Sequence, residues 1–227
     1  MSKLIITTVG TSVITNKLYS TKFETEIKEL VDDVKDPRYF TEIVNDTVHN
    51  IVNKLNNNVP NKQLSAELAS LRAFKNNSKL GISNDDVIVL FSTDTEEGKF
   101  CAKVNEEVLR TINWCQIQPY IAIKGLKTKR TKEDEDITKN FIDAALVTLK
   151  NKTEELLNGQ TYTGKYFNIT GGFKGTIPFV TVLAFEKQMN IFYLYEESND
   201  LIVISPPHTG HVSTYDELVR LVSQLGA

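Results

Sequence analysis

Short runs of consecutive apolar residues, many of them β-branched, recur along the chain and end in polar or glycine-rich segments. Residues 3–9 form the first run, and Gly10 ends it. Apolar runs of this length are typical of strands that are buried on both faces of a sheet. The pattern predicts strands at residues 3–9, 86–91, 117–123, 166–170, 191–195 and 201–204.

Between these runs, apolar residues recur at the spacing of amphipathic helices. The spacing predicts helices at residues 23–34, 39–55, 64–74, 96–112, 136–157, 176–188 and 215–225. The first three of these lie between the first two strands, where one crossover helix would suffice. We therefore expect a helical insertion over about residues 21–80.

The alternation of strands and helices predicts an α/β fold with a parallel sheet and helices on both faces. The last two strands flank the polar residues 196–200, a pattern that predicts a terminal antiparallel hairpin. The sequence contains neither an internal repeat nor a long linker. We expect one domain over residues 1–227, with a short C-terminal tail at about 206–227.

Composition narrows the class of protein. The 227 residues are 41% hydrophobic and 24% charged, as in ordinary soluble proteins. Because no apolar run approaches the ~20 residues of a membrane span and no signal-peptide pattern opens the chain, we expect a cytoplasmic protein without a membrane partner. The two cysteines, Cys101 and Cys115, lack metal-ligand spacing and suit buried positions in a reducing compartment.

The formal net charge of −3 argues against binding to long nucleic acid, which requires a large basic surface. A small anionic ligand remains compatible, since it needs only helix N-termini and one or two lysines. The basic run at residues 127–132 could reach over a polyanion, although such a run beside the acidic residues 133–136 is typical of a solvated loop.

The loop after the first strand contains Gly10, Thr11 and Ser12. Ligands of open α/β sheets bind beyond the carboxyl ends of the strands, so this loop is a candidate site. Glycine permits close backbone approach, and the hydroxyls can donate to phosphate oxygens or accept from a ribose. The alternative for this motif alone is a turn followed by a helix N-cap.

A second candidate loop contains a glycine pair and a lysine at the start of a predicted helix. Its residues are Thr170, Gly171, Gly172, Phe173 and Lys174. Exposed backbone N–H groups, the helix dipole and the ammonium would together form an anion site. The alternative is a tight strand-to-helix turn with a solvated lysine.

A third candidate loop, at residues 92–98, contains Thr93, Asp94 and Thr95. It could contact a ligand, or it could only begin a helix whose first turn carries acidic residues that the dipole favours.

Standard nucleotide and metal signatures are missing. Neither a P-loop nor a dinucleotide-binding glycine motif follows the first strand, which disfavours a triphosphate hydrolase and a dinucleotide dehydrogenase. His208 and His211 lack a third ligand at a suitable spacing. We expect no metal and no cofactor.

The candidate loops resemble the CARF (CRISPR-associated Rossmann fold) proteins of type III CRISPR systems. The branch in question carries Gly-Thr-Ser followed by Thr-Asn near the N-terminus, as Gly10 to Asn16 do here. Each similar segment alone is weakly specific for the family, but the occurrence of all of them in this order is fairly specific. The segments are residues 10–16, 65–71, 92–98, 170–174 and 193–196.

The resemblance implies a Rossmann-like homodimer whose loops bind a cyclic oligoadenylate, most often the tetramer, around a two-fold axis. It implies ligand contacts from Gly10, Thr11, Asn16, Thr93, Asp94, Thr95, Thr170, Gly171, Gly172 and Phe173. No Arg and His pair of a HEPN nuclease occurs, and we expect the tail after residue 205 to be too short for an effector domain.

A CARF domain standing nearly alone resembles a ring nuclease, which degrades this second messenger and ends the antiviral response. The resemblance implies that Ser12 and Lys174 are catalytic. Such an enzyme needs no metal, because it holds the ribose 2′-OH in line with the leaving 5′-oxygen and yields linear products with a 2′,3′-cyclic phosphate. No residue stands out in the sequence as the general base.

Two other functions remain open. The chain could be a binding module that senses the ring and signals to a separate effector. It could also be an α/β enzyme unrelated to CRISPR that acts on a phosphorylated small molecule.

Overall fold

The computed structural model describes residues 2–31, 37–126, 141–158, 160–172, 174–195 and 200–206. Within these ranges the chain forms one seven-stranded sheet. The strands are β1 (Lys3–Val9), β2 (Val87–Thr93), β3 (Gln116–Ile117), β4 (Ile121–Ile123), β5 (Gly164–Asn168), β6 (Asn190–Leu194) and β7 (Leu201–Ile204).

Helices connect most of the strands. The α-helices are α1 (Ser12–Thr15), α2 (Glu24–Val31), α3 (Pro37–Asn56), α4 (Ala66–Asn76), α5 (Glu96–Ile112), α6 (Val147–Leu157) and α7 (Ile177–Glu186). A π-helical stretch, Phe141–Leu146, precedes α6, and 3₁₀ turns occur at Thr21–Phe23, Asn61–Gln63 and Lys174–Thr176. No helix within the described ranges is long and apolar enough to cross a membrane.

The sheet has the order β3-β2-β1-β5-β6-β7, with β4 also paired to β2. All the strand pairs are parallel except β6 with β7, which form the predicted antiparallel hairpin. From β1 the chain builds one half of the sheet, then returns to β5 on the other side of β1 and builds the second half. The gap between the carboxyl ends of β1 and β5 is therefore the topological switch point, where open α/β sheets bind ligands.

Both faces of the sheet are covered, which explains the unbroken apolar runs. Along β1, Ile5 and Val9 belong to a buried cluster that includes residues of α2 to α5, whereas Leu4 and Ile6 belong to a second cluster with residues of α6 and α7. The predicted α/β class, with a mainly parallel sheet and helices on both faces, is confirmed.

Several boundaries differ from the predictions. The single strand predicted at 117–123 is two short strands, because Pro119 lies between β3 and β4 and has no N–H for the ladder. The first candidate loop contains a helix, α1, which begins at Ser12. The helices of the insertion predicted over about residues 21–80 are present as α2 to α4. The helix predicted at 215–225 lies outside the described residues.

Candidate functional site

The loops after β1 and β5 touch each other. A Cβ added to Gly10 would lie 2.9 Å from the backbone nitrogen of Gly172, and one added to Gly172 would lie 2.7 Å from the Cβ of Thr8. Gly172 also has a φ of +96°, which favours glycine. The hydroxyl of Thr8 lies 2.7 Å from the carbonyl oxygen of Gly171. The two glycine loops therefore form one continuous surface at the switch point.

A buried carboxylate lies behind this surface. Glu67, on α4, has no solvent exposure. Its Oε1 accepts a hydrogen bond from the backbone N–H of Gly10 (2.8 Å), and its Oε2 accepts one from the hydroxyl of Ser12 (2.5 Å). A Cβ at Gly171 would overlap Oε1, so the glycine makes room for the carboxylate. Glu67 thus joins both loops.

The start of α4 fixes Glu67 in this position. The hydroxyl of Ser65 caps the helix by accepting from the N–H of Leu68 (3.2 Å), and it donates to the side-chain oxygen of Asn105 (2.8 Å). The backbone N–H of Ala66 donates to the Ser12 hydroxyl (3.1 Å). A buried polar group needs hydrogen-bond partners, and here donors of the first loop supply them.

Two residues that are predicted to contact a ligand also form hydrogen bonds within the protein. The side-chain amide of Asn16 donates to the carbonyl oxygen of Leu64 (2.9 Å) and ties α1 to the start of α4. The hydroxyl of Thr170 donates to the side chain of Asn168 (2.8 Å) and accepts from the N–H of Leu194 (3.0 Å). Both side chains hold the loops together, and their contacts with a ligand stay predictions.

The loop after β2 begins a helix. The hydroxyl of Thr95 accepts from the N–H of Gly98 (3.1 Å) and caps α5, and it lies 3.0 Å from the hydroxyl of the buried Thr93. Asp94 pairs with Lys99 (3.2 Å). All three polar side chains therefore have contacts within the protein, and their contacts with a ligand stay predictions.

Lys174 is exposed at the first position of the 3₁₀ turn that precedes α7. Ser12 and Lys174 thus lie on the two loops that meet, while Thr11 is half-buried beside Ser12.

The described residues contain no group of three or more His, Cys, Asp or Glu side chains able to hold a metal ion. Other candidates lie outside the described residues, namely Phe173, the basic run at 127–132, His208 and His211.

Glu67 is the site residue that the sequence reasoning missed. Its signal was a charged residue inside an apolar stripe, because Leu64, Leu71 and Phe74 precede or follow it at helical spacing and are buried with it. Acidic residues are almost never fully buried without a partner, so such a position marks a specific contact.

The comparison with protein families identifies the family of the chain. A family model described as CRISPR-associated protein (Cas_APE2256) matches residues 62–207. The match includes α4 with Glu67 and the loops after β2 and β5, whereas Ser12 precedes it. No curated protein matches the chain. Since the match covers more than half of the sequence, the chain belongs to this family of CRISPR-associated proteins.

Proposed function

We propose that this protein is a ring nuclease that binds a cyclic oligoadenylate, with the tetramer as the expected ring, and cleaves it without metal. This reaction would switch off type III CRISPR antiviral signalling. The observation that carries the proposal is the contact between the Gly10 and Gly172 loops at the switch point, in a chain of a CRISPR-associated family.

The chemistry needs little beyond positioning. An RNA linkage contains its own nucleophile, the 2′-OH, so cleavage follows when that oxygen is held in line with the leaving 5′-oxygen. In this proposal the exposed ammonium of Lys174 and the N–H of Gly172 stabilise the charge that develops on the phosphorus oxygens. Ser12 contacts the ribose beside them.

A symmetric ring fits a symmetric pair of sites. We propose a homodimer in which the two copies place their switch-point loops around a two-fold axis, so that each copy contacts half of the ring. The half-buried Thr11 and Ser12 would face the ring together with the exposed Lys174.

Incubation with cyclic tetra-adenylate tests the activity. With the full chain in excess and EDTA present, we expect linear adenylates ending in a 2′,3′-cyclic phosphate, identified by mass spectrometry. A ring that stays intact after long incubation would rule out the nuclease.

Variants at the two proposed catalytic residues sharpen the test. Ser12→Ala and Lys174→Ala should each lower the single-turnover cleavage rate about 100-fold or more, while Lys174→Ala retains some ring binding. Lys79→Ala is the matched control, because Lys79 is also exposed but follows the far end of α4. Equal losses in all three variants would contradict a specific role for Lys174.

A sensor that binds without cutting is the second candidate. It is favoured by the contacts of Glu67 and Asn16, which join the first loop to the helical insertion and could pass a change at the ring to α4. In that case Lys174→Ala weakens binding, and neither protein cleaves the ring.

A further inference from the structure

We propose that Glu67 turns the Ser12 hydroxyl into a hydrogen-bond acceptor for a ribose 2′-OH and takes up a proton through Ser12 during cleavage. This inference rests on the proposed function and adds the base that the sequence did not reveal. Glu67 acts through Ser12, so it is a positioning residue and a proton acceptor that does not itself touch the ring.

The hydrogen bonds of Ser12 fix the direction of its proton. A hydroxyl has one hydrogen to donate and two lone pairs to accept with. The Ser12 oxygen accepts from the N–H of Ala66 at 3.1 Å, and its hydrogen points to Oε2 of Glu67 at 2.5 Å. The Ser12 hydroxyl therefore has one lone pair left with which to accept from a ligand, and it has no hydrogen left to donate.

This arrangement selects the part of the ring that can face Ser12. A phosphate oxygen has only lone pairs to offer, so it would face the remaining lone pair of Ser12 without a hydrogen between the two oxygens. The N–H of Gly10 is also unavailable to phosphate, since it already donates to Glu67 at 2.8 Å. A ribose 2′-OH can donate to Ser12, so the ribose is the group that fits.

The same contacts define a balanced reaction step. The 2′-oxygen forms a bond to phosphorus as the bond from phosphorus to the 5′-oxygen breaks. The 2′ proton moves to the Ser12 oxygen while the Ser12 proton moves to Oε2 of Glu67. The leaving 5′-oxygen takes a proton from the ammonium of Lys174, and both side chains return to their starting states by exchange with water.

The substitution Glu67→Gln tests this role with little change of shape. The amide oxygen must still accept from Gly10, which places the amide N–H₂ beside Ser12 and turns the serine proton toward the ligand. We expect the single-turnover cleavage rate to fall about 100-fold or more, with a change in ring affinity of less than about tenfold. Glu106→Gln is the control, because Glu106 is also a buried acid, and it accepts from the N–H of Tyr120 (2.7 Å) rather than from the donors of the first loop.

Binding of a 2′-fluoro ring gives a readout that does not depend on cleavage. The wild-type chain should bind cyclic tetra-adenylate about tenfold more tightly than its 2′-fluoro analogue, because fluorine cannot donate a hydrogen bond to Ser12. Glu67→Gln should lose most of this preference, because its Ser12 proton can donate to either 2′ substituent, whereas Glu106→Gln should keep it. A purely structural role would weaken the binding of both rings equally.

The outcomes separate this inference from the proposed function. Cleavage by Glu67→Gln at the wild-type rate, or an unchanged preference for the ribose ring, would overturn the role of Glu67. If the wild-type chain binds the ring and never cuts it, the nuclease activity and the proton transfer to Glu67 are both overturned. Loss of the ribose preference in Glu67→Gln would in that case still support the proposed orientation of the Ser12 hydroxyl. If neither ring binds, the proposed function is overturned and this inference with it.

Discussion

Asp86 is a fully buried carboxylate that joins the first strand to the turn before the second. It accepts hydrogen bonds from the backbone N–H of Lys3 (2.7 Å), from the ammonium of Lys3 (3.0 Å) and from the N–H of Ser83 (2.8 Å). Burial acts to raise the pKa of Asp86, but these hydrogen bonds outweigh it and hold the pKa below its ordinary value.

We expect Asp86→Asn to lower the free energy of unfolding at neutral pH by about 2 kcal/mol, because it removes charged hydrogen bonds from a buried position. Since the folded protein has the lower pKa, this stabilisation is present above the unfolded value of about 4 and is lost as the pH falls through the folded value. Urea unfolding at both ends of this range measures it. The exposed neighbour gives the control Asp85→Asn, and a difference that persists unchanged in acid would contradict the pKa shift.

Some residues of the candidate site can be predicted from the sequence, and others cannot. Gly10, Ser12 and Lys174 stand in loops with a local signature, so the sequence alone predicts them as site residues. Glu67 contacts Ser12 across 55 positions of sequence, and only the folding of α4 against β1 brings them together. Local patterns identify loops, whereas such a pair depends on tertiary packing.

Helix α5 illustrates how far local signals define an element. It spans Glu96–Ile112, the range predicted from sequence, because Thr95 caps its start and Asn113, with a φ of 50°, ends it in the left-handed region. The short α1 and the break at Pro119 escaped prediction, since apolar periodicity carries little information over four or seven residues. Boundaries set by caps were therefore predictable, and those set by packing were not.

The cap of α5 can be separated from ligand binding. We expect Thr95→Ala to lower the free energy of unfolding by about 1 kcal/mol, because the N–H of Gly98 loses its partner, and to leave ring affinity unchanged. Thr95→Ser retains the hydroxyl and should restore most of the stability. Thermal unfolding and a binding titration measure the two effects. Loss of ring binding in the alanine variant, with the serine variant normal, would show that the hydroxyl also contacts the ligand.

The two thiols report on the opening of the whole molecule. Cys101 is fully buried and Cys115 is 7% exposed. Burial raises the pKa of the Cys115 thiol to about 12, and burial together with the charge of Glu67 raises that of Cys101. Both therefore lack the thiolate form that reacts at neutral pH.

We expect neither cysteine to react with a thiol reagent such as Ellman's reagent until the protein unfolds, when both should react. Labelling followed against guanidinium concentration should then coincide with loss of helical circular dichroism. The single variants Cys101→Ser and Cys115→Ser assign each reaction. Rapid labelling of Cys101 in the native protein would contradict the packing of α5.

Strand β1 is central to the sheet but lies outside the residues that the family model matches. The family match begins at residue 62, after β1, yet β1 supplies the pairing edge for both β2 and β5. A fragment cut at the limits of the match would split the sheet in two and leave the edges of β2 and β5 unpaired, and unpaired strand edges template aggregation. The family match covers residues 62–207, but the two halves of the sheet are joined by β1, which precedes the matched residues.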